Sequence, residues 1–141
     1  MVFSCSGSKK VVAWSLCEKK KQFEFTHKNG VNDIVVGREG TPLAERIVSI
    51  SWDTCRISNS VTGAEVKIIN FDNGCNSIAV DNTQTVIAIG TAENVTFIET
   101  TNFTKVKEVS MDSSIKSLAF NKGNDCILAV TSKGEVYSFK L

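Results

Sequence analysis

The sequence has little of what most metal-binding or catalytic sites need, and it has no long apolar run. It contains one histidine, one proline and one tyrosine. A single histidine excludes a metal site with several histidine ligands. No apolar run approaches the roughly 18 residues that a membrane-spanning helix requires. The N-terminal residues also lack the apolar stretch of a signal peptide, so we expect a cytoplasmic protein without a membrane partner.

A basic excess is missing as well. The chain has 16 lysine and arginine residues against 15 aspartate and glutamate residues, and its net charge is +1. Proteins that bind nucleic acid usually show a strong basic excess, so no nucleic-acid partner is expected. The glycine-rich motifs that hold phosphate groups are also absent, and we expect no cofactor.

The cysteine pattern does not indicate a metal site or a disulfide framework. The five cysteines form an odd number and include no C-x-x-C pair. Such residues are expected to be small buried hydrophobes that stay reduced. A nucleophile and base pair of Cys17 and His27 is the catalytic alternative. However, Cys17 follows the end of an expected strand and suits a structural role, so the sequence predicts a protein that is not an enzyme.

A repeat of about 40 residues organises the chain. The segments 31–36, 75–80 and 115–120 align, with apolar or small residues at their first, fourth and sixth positions. Their first residues lie 44 and 40 residues apart. This spacing is typical of the four-stranded blade of a β-propeller. It divides one domain segment into a partial blade at 1–30, full blades at 31–74 and 75–114, and a partial blade at 115–141.

Strand patterns recur in the same order within each repeat. In the segment 64–68, polar and apolar residues alternate, which indicates a half-exposed strand. The segment 85–89 is almost entirely apolar and indicates a strand buried on both faces. The four segments are expected to hold three, four, four and three strands. The predicted fold class is therefore all-β, with about three and a half four-stranded antiparallel blades.

These repeats resemble those of the WD40 family. Thr26 and His27, followed by the strand at 31–36, are similar to the family's Gly-His turn and innermost strand. The segment 51–59 is similar to the family's Ser-x-Asp turn and third strand. The resemblance implies a partial β-propeller and a hydrogen-bond network that joins His27 to Ser51 and Asp53.

The family's Trp-Asp dipeptide is not matched at its usual position. In this alignment Ser58 and Asn59 occupy that position, while the visible Trp52 and Asp53 fall at the preceding turn. The equivalent pairs in the other repeats also lack the dipeptide, being Trp14-Ser15, Ile98-Glu99 and Phe139-Lys140. The repeats are therefore divergent, and the network lacks its usual tryptophan.

A narrower resemblance covers residues 47–141. The segments 47–53, 75–80, 86–90 and 115–120 are similar to blades of the actin-interacting protein 1 family, the WD-repeat cofactors of cofilin. This likeness implies that the partners are other proteins, with actin and cofilin as the specific candidates. Since no distinctive contact motif is matched, the family's contact residues cannot be assigned here.

The strand count also predicts that the fourteen strands are only part of a propeller. Propellers close with four to eight blades, and fourteen strands are not a whole number of four-stranded blades. An open stack leaves strand edges exposed, which favours aggregation. We therefore expect the propeller to be completed by further polypeptide.

The longest irregular stretch, 37–45, is the candidate partner-binding loop, because long loops on rigid scaffolds often carry binding residues. The candidate contact residues are charged: Arg38, Glu39, Glu45 and Arg46. The resemblance thus implies a non-catalytic protein–protein interaction scaffold. The alternative is a structural propeller subunit of a larger multiprotein assembly.

Overall fold

The computed structural model describes residues 1–140, and this part of the chain is all-β. Its fourteen strands pair only in antiparallel fashion and form four sheets, none of which closes on itself. Residues 1–140 include no helix that is long and apolar enough to cross a membrane. The prediction of an all-β chain with sheets of three, four, four and three strands is confirmed.

Each sheet is built from consecutive strands. The first sheet contains β1 (Val2–Cys5), β2 (Lys10–Ser15) and β3 (Lys20–Thr26). The second contains β4 (Val31–Val36), β5 (Arg46–Ser51), β6 (Thr54–Asn59) and β7 (Glu65–Asn70). The third contains β8 (Ser77–Val80), β9 (Val86–Gly90), β10 (Asn94–Glu99) and β11 (Thr104–Ser110). The fourth contains β12 (Ile115–Phe120), β13 (Cys126–Thr131) and β14 (Val136–Lys140).

Strand boundaries differ by at most two residues from the expected ranges. The strand expected at 75–80 begins at Ser77. Cys75 is not part of it, because its backbone N–H donates to the carbonyl of Trp52 in the second sheet, at 3.0 Å. Leu141, the last residue of the segment 115–141, lies outside the described residues. The four sheets fall within the segments 1–30, 31–74, 75–114 and 115–141.

Burial is greatest in the middle strands of each full sheet. In β9, the strand expected to be buried on both faces, Ile87, Ala88 and Ile89 are all inaccessible to solvent. The fourth strand of the third sheet, β11, is exposed along nearly its whole length. Its lysine residues suit an edge strand, since charged side chains oppose pairing with the edge of another sheet.

The sheets pack on one another through three apolar clusters. Between the first and second sheets the cluster includes Val11, Phe25, Val31 and Ile47. The largest cluster lies between the second and third sheets and includes Val48, Ile50, Cys55, Ile57, Ile78, Ile87, Ile89 and Ile98. Between the third and fourth sheets the cluster includes Ala88, Val95, Phe97, Ile115, Leu118, Ile127 and Ala129. The core is therefore divided among three similar sheet-to-sheet interfaces.

The same backbone hydrogen bond recurs at each interface. The first residue of each of the segments 31–36, 75–80 and 115–120 donates its N–H to a carbonyl in the turn that follows β1, β5 or β9 of the preceding sheet. The pairs are Val31 to Ser6 at 3.1 Å, Cys75 to Trp52 at 3.0 Å, and Ile115 to Thr91 at 3.0 Å. The donors stand 44 and 40 residues apart, so the sequence repeat is also a repeat of backbone geometry.

The first strands of the second, third and fourth sheets, β4, β8 and β12, are called the inner strands, and their side chains add a second recurring contact. Asp33 of β4 accepts a hydrogen bond from the backbone N–H of Ile78, with an oxygen–nitrogen distance of 3.3 Å. Ser77 of β8 accepts the equivalent bond from Leu118 at 3.2 Å. Asp33 and Ser77 are both the third residue of their repeat segments. The inner strands β4, β8 and β12 thus lie next to one another in chain order.

Candidate functional site

The strand connections lie at two opposite ends of the sheets, because consecutive strands run antiparallel. In the second, third and fourth sheets the upper end carries the turn after the second strand, and it also carries the link from each sheet to the next, so that it includes residues 27–30 and 52–53. In the second and third sheets the lower end carries the connection after the first strand and the turn after the third strand, and so includes 37–45 and 60–64. The predicted site residues divide between these two ends.

The upper end contains a chain of polar contacts that begins at His27, which is buried. Its Nε2 lies 2.8 Å from the hydroxyl of Ser49, and its Nδ1 lies 3.5 Å from the hydroxyl of Thr54. Thr54 contacts the hydroxyl of Ser51 at 2.6 Å, and Ser51 donates to the carboxylate of Asp53 at 3.4 Å. The structure therefore brings His27, Ser51 and Asp53 into one network, with Thr54 as the link.

Two members of this network, Ser49 and Thr54, were not predicted. Ser49 lies two residues before Ser51 on β5. Because alternate residues of a strand face the same side, the position of Ser51 could have indicated Ser49. Thr54 begins β6 directly after the turn, and sequence spacing alone gave no signal for its contact with the histidine.

Arg56 is the other residue that sequence reasoning missed. Its guanidinium lies 4.4 Å from the centre of the Phe25 ring. The same group donates to the hydroxyl of Ser58 at 3.0 Å and to the carbonyl of Thr26 at 3.3 Å. Ser58 is fully buried. Arg56 thus joins the second sheet to the first, and a lone charged residue in the otherwise uncharged strand β6 was the available signal.

A cavity of about 290 Å³ opens beside these residues. Lys28 and Arg56 supply positive charge to its lining, Asp53 supplies negative charge, and Ile68 supplies an apolar wall. Both nitrogens of His27 are occupied by hydroxyl groups. The cavity offers a place to bind a small charged group, and both His27 and Thr54 line it.

Acidification is expected to destabilise the fold through His27. Burial, helped by the charge of Arg56 and opposed by that of Asp53, holds the pKa of His27 below its ordinary value of 6.5. The unfolded chain therefore takes up a proton as the pH falls below about 6.5, while the folded chain takes it up only at lower pH. The free energy of unfolding should fall in this window, with a slope of at most about 1.4 kcal/mol per pH unit.

Urea unfolding at a series of pH values measures this slope. His27→Gln keeps a polar side chain but cannot be protonated there, so we expect it to flatten the profile between about pH 7 and pH 5. An unchanged slope in that variant would assign the effect to other groups.

The lower-end loop 37–45 is ordered by its own hydrogen bonds. The N–H of Gly37 donates to the carbonyl of Arg46 at 2.8 Å, and the N–H of Arg46 donates to Leu43 at 2.9 Å. Thr41 and Ala44 complete two further turns. Leu43 is fully buried in the cluster between the second and third sheets. The loop is thus anchored to the core by one apolar side chain.

The four predicted contact residues do not all lie together. Glu39, Glu45 and Arg46 line a cavity of about 480 Å³, which also reaches Ser60 of the neighbouring turn. Arg38 instead points to the third sheet, where its guanidinium donates to the carbonyl of Asn82. Its backbone N–H donates to Gln84 at 2.8 Å. The structure therefore forms a three-residue charged cavity, and Arg38 ties the loop to the next sheet.

The acidic, histidine and cysteine side chains of residues 1–140 do not gather into a metal-binding group. This part of the chain contains no group of three or more histidine, cysteine, aspartate and glutamate residues that could hold a metal ion. Burial raises the pKa of the Cys75 thiol to about 12, and it also raises the pKa of Cys55. Both thiols are therefore protonated at neutral pH and pack as hydrophobic side chains.

The chain is thus an all-β protein of repeated antiparallel sheets, with one cavity at the upper end of the sheets and one at the lower end. No protein-family model matches the chain, and no curated protein matches its sequence significantly.

Proposed function

We propose that the chain is part of a WD40-type β-propeller that acts as a non-catalytic scaffold for protein–protein interaction. The observation that carries the proposal is the repeat of inter-sheet geometry. The N–H groups of Val31, Cys75 and Ile115 make the same bond to the preceding sheet at intervals of 44 and 40 residues. An interval of this size supports four-stranded blades. The stack of sheets then presents its loops at two ends, where scaffolds bind their partners.

The lower-end cavity is the proposed contact site. Glu39 and Glu45 are exposed, and Arg46 is half-buried beside them. The guanidinium of Arg46 donates to the backbone carbonyl of Glu45 at 3.1 Å, which holds a positive charge in the cavity that Glu39 and Glu45 also line. A protein partner with charged side chains of both signs fits this lining. Actin and cofilin are the specific partners that the narrower family resemblance suggests.

A structural propeller subunit of a larger assembly is the second candidate function. Exposed apolar side chains on the first and fourth sheets favour it, notably Trp14 and Leu128. A structural subunit would need its neighbouring polypeptide to remain soluble, whereas a scaffold would bind its partner reversibly. In either case, we propose a cytoplasmic protein without a cofactor, nucleic acid or membrane lipid as its ligand. The five unpaired cysteines support a reducing compartment.

Charge reversal in the lower-end cavity is expected to weaken binding without unfolding the chain. Arg46→Glu should lower the affinity for the partner about tenfold or more, because it places a third negative charge beside Glu39 and Glu45. Arg38→Glu should also weaken binding, since it removes the contact between the loop and Asn82. Co-sedimentation with actin filaments, with and without purified cofilin, measures the affinity, and circular dichroism measures the melting temperature.

Lys133→Glu is the matched control. Lys133 is exposed in the turn of the fourth sheet at the upper end, so the same charge change there should leave binding unchanged. Equal binding by all three variants and the unaltered chain would remove the lower-end cavity from the contact site. A complete lack of binding to actin and cofilin by the unaltered chain would remove these two partners.

A further inference from the structure

Equivalent positions in successive sheets face the next sheet in the chain. In the second sheet these positions are held by Val48, Ile50, Cys55 and Ile57, as the register between β5 and β6 shows. In the third sheet they are held by Ala88, Gly90, Val95 and Phe97. All eight residues are buried. We call this set of positions the leading face of a sheet.

The leading face of the fourth sheet is also apolar, but it is exposed. The same register places Leu128, Val130, Val136 and Ser138 at these positions. Leu128 is 42% exposed, Val130 is 38% exposed and Val136 is 66% exposed. Three neighbouring apolar side chains therefore stand in solvent where the two preceding sheets bury every residue.

The recurring polar contact of the interface is also left open at this face. Ser117 is the third residue of β12, and its equivalents Asp33 and Ser77 each accept a backbone N–H from the next sheet. Ser117 is exposed. The leading face of the fourth sheet thus repeats both the apolar and the polar parts of the interfaces that are occupied within the chain.

We propose that Leu128, Val130 and Val136 form a docking face for a further β-sheet of the same repeat. The inner strand of the docked sheet carries apolar residues at its first and fourth positions, and the backbone N–H of its fourth residue donates to the hydroxyl of Ser117. The proposal rests on the repeat architecture of the proposed function. It adds the location of the surface and the chemistry of the partner.

The first sheet of a second copy of residues 1–140 is not a sheet of this kind. This first sheet begins with β1. The register between β1 and β2 makes Val2 the equivalent of Ile47 and Ile87. These two residues lie on β5 and β9, the second strands of the second and third sheets. The first sheet of residues 1–140 therefore has no inner strand and no equivalent of Ile78 or Leu118, both of which are buried in the occupied interfaces. The occupant is accordingly a repeat that includes its own inner strand.

An extended chain tests the proposal. Residues 101–141 of this sequence are appended after Leu141, which adds a copy of β11 and then a copy of the fourth sheet. We expect the extended chain to be monomeric and to melt at a higher temperature than the natural chain. Leu128→Glu should lower the melting temperature by several degrees in the extended chain, where the side chain is buried, and much less in the natural chain, where it is exposed.

Val61→Glu is the matched control, because Val61 is 59% exposed in the turn between β6 and β7 and is not on a leading face. It should have the same small effect in both chains. An equal effect of Leu128→Glu in both chains would overturn the proposal. So would a natural chain that forms a defined multimer which Leu128→Glu dissociates, because the occupant would then be a second copy.

Dye binding gives an independent measurement on the natural chain, and it remains informative if the extended chain does not fold. Leu128→Glu should reduce the binding of an anilinonaphthalene dye, and Val61→Glu should not. Equal dye binding by the two variants would contradict an apolar docking face. Co-sedimentation with actin and cofilin does not depend on this face, so failure of the docking proposal and failure of the proposed function give different results.

Discussion

Replacing Gly37 with alanine is expected to destabilise the fold by about 3 kcal/mol, at the upper end of the range for overpacking. A Cβ atom at this position would lie 1.6 Å from the carbonyl oxygen of Leu43 and 2.4 Å from its carbonyl carbon. Both atoms belong to the backbone, so no side-chain rotation can relieve the contact. The loop cannot easily move away either, because the Leu43 side chain is buried in the core.

Urea unfolding of Gly37→Ala measures this loss, and Gly7→Ala is the matched control. A Cβ atom at Gly7 meets nothing within 4 Å, so its replacement should change the free energy of unfolding by less than about 0.5 kcal/mol. Gly37→Ala should also reduce partner binding, since Glu45 and Arg46 lie on the loop that must shift. Equal stability of the two variants would show that the loop can rearrange without cost.

Much of the fold could be predicted because the repeat and the strand pattern report the same organisation. The alternation of Glu65 and Lys67 with Val66 and Ile68 indicated a half-exposed strand, but on the edge strand β7 Val66 and Ile68 are the exposed side chains and Lys67 is half-buried. The apolar run at 85–89 indicated a doubly buried strand, as observed for β9. Side-chain periodicity depends only on which faces are covered, so it can be recognised without knowing the neighbouring residues.

The contacts of the candidate site were harder to predict, because they depend on the distance between sheets. Family resemblance placed His27 near Asp53, whereas the histidine contacts Ser49 and Thr54 directly. Arg56, which is hydrogen-bonded to the small side chain of Ser58, is the residue that reaches across to the first sheet. Which side chain bridges two sheets is decided by packing, and sequence spacing contains no information on packing.

The loop 37–45 shows the same limit in another form. Its four charged residues were predicted as one group of partner contacts, and Glu39 and Glu45 are exposed. However, the sequence gave no reason to separate Arg38 from the other three residues. The hydrogen bonds of Arg38 to Asn82 and Gln84 join residues 44 and 46 positions apart. Such contacts follow from the stacking of the second sheet on the third.

The packing between these two sheets is therefore expected to contribute more to stability than any surface contact. Ile50→Ala should lower the free energy of unfolding by about 2–5 kcal/mol, the range found when a large buried side chain is truncated. Ile50 is inaccessible to solvent, and it lies in the largest apolar cluster with residues of both sheets. A cavity at this position separates the second sheet from the third, and neighbouring side chains can refill it only in part.

Ile68→Ala is the matched control, because it removes the same atoms from a side chain that is 42% exposed on the outer strand β7. Its effect should be no more than about 0.5 kcal/mol. Urea unfolding of both variants, followed by circular dichroism, measures the difference. If Ile50→Ala were as stable as Ile68→Ala, the second and third sheets would not be packed as the structure shows. The stacking on which the scaffold and docking proposals depend would then be wrong.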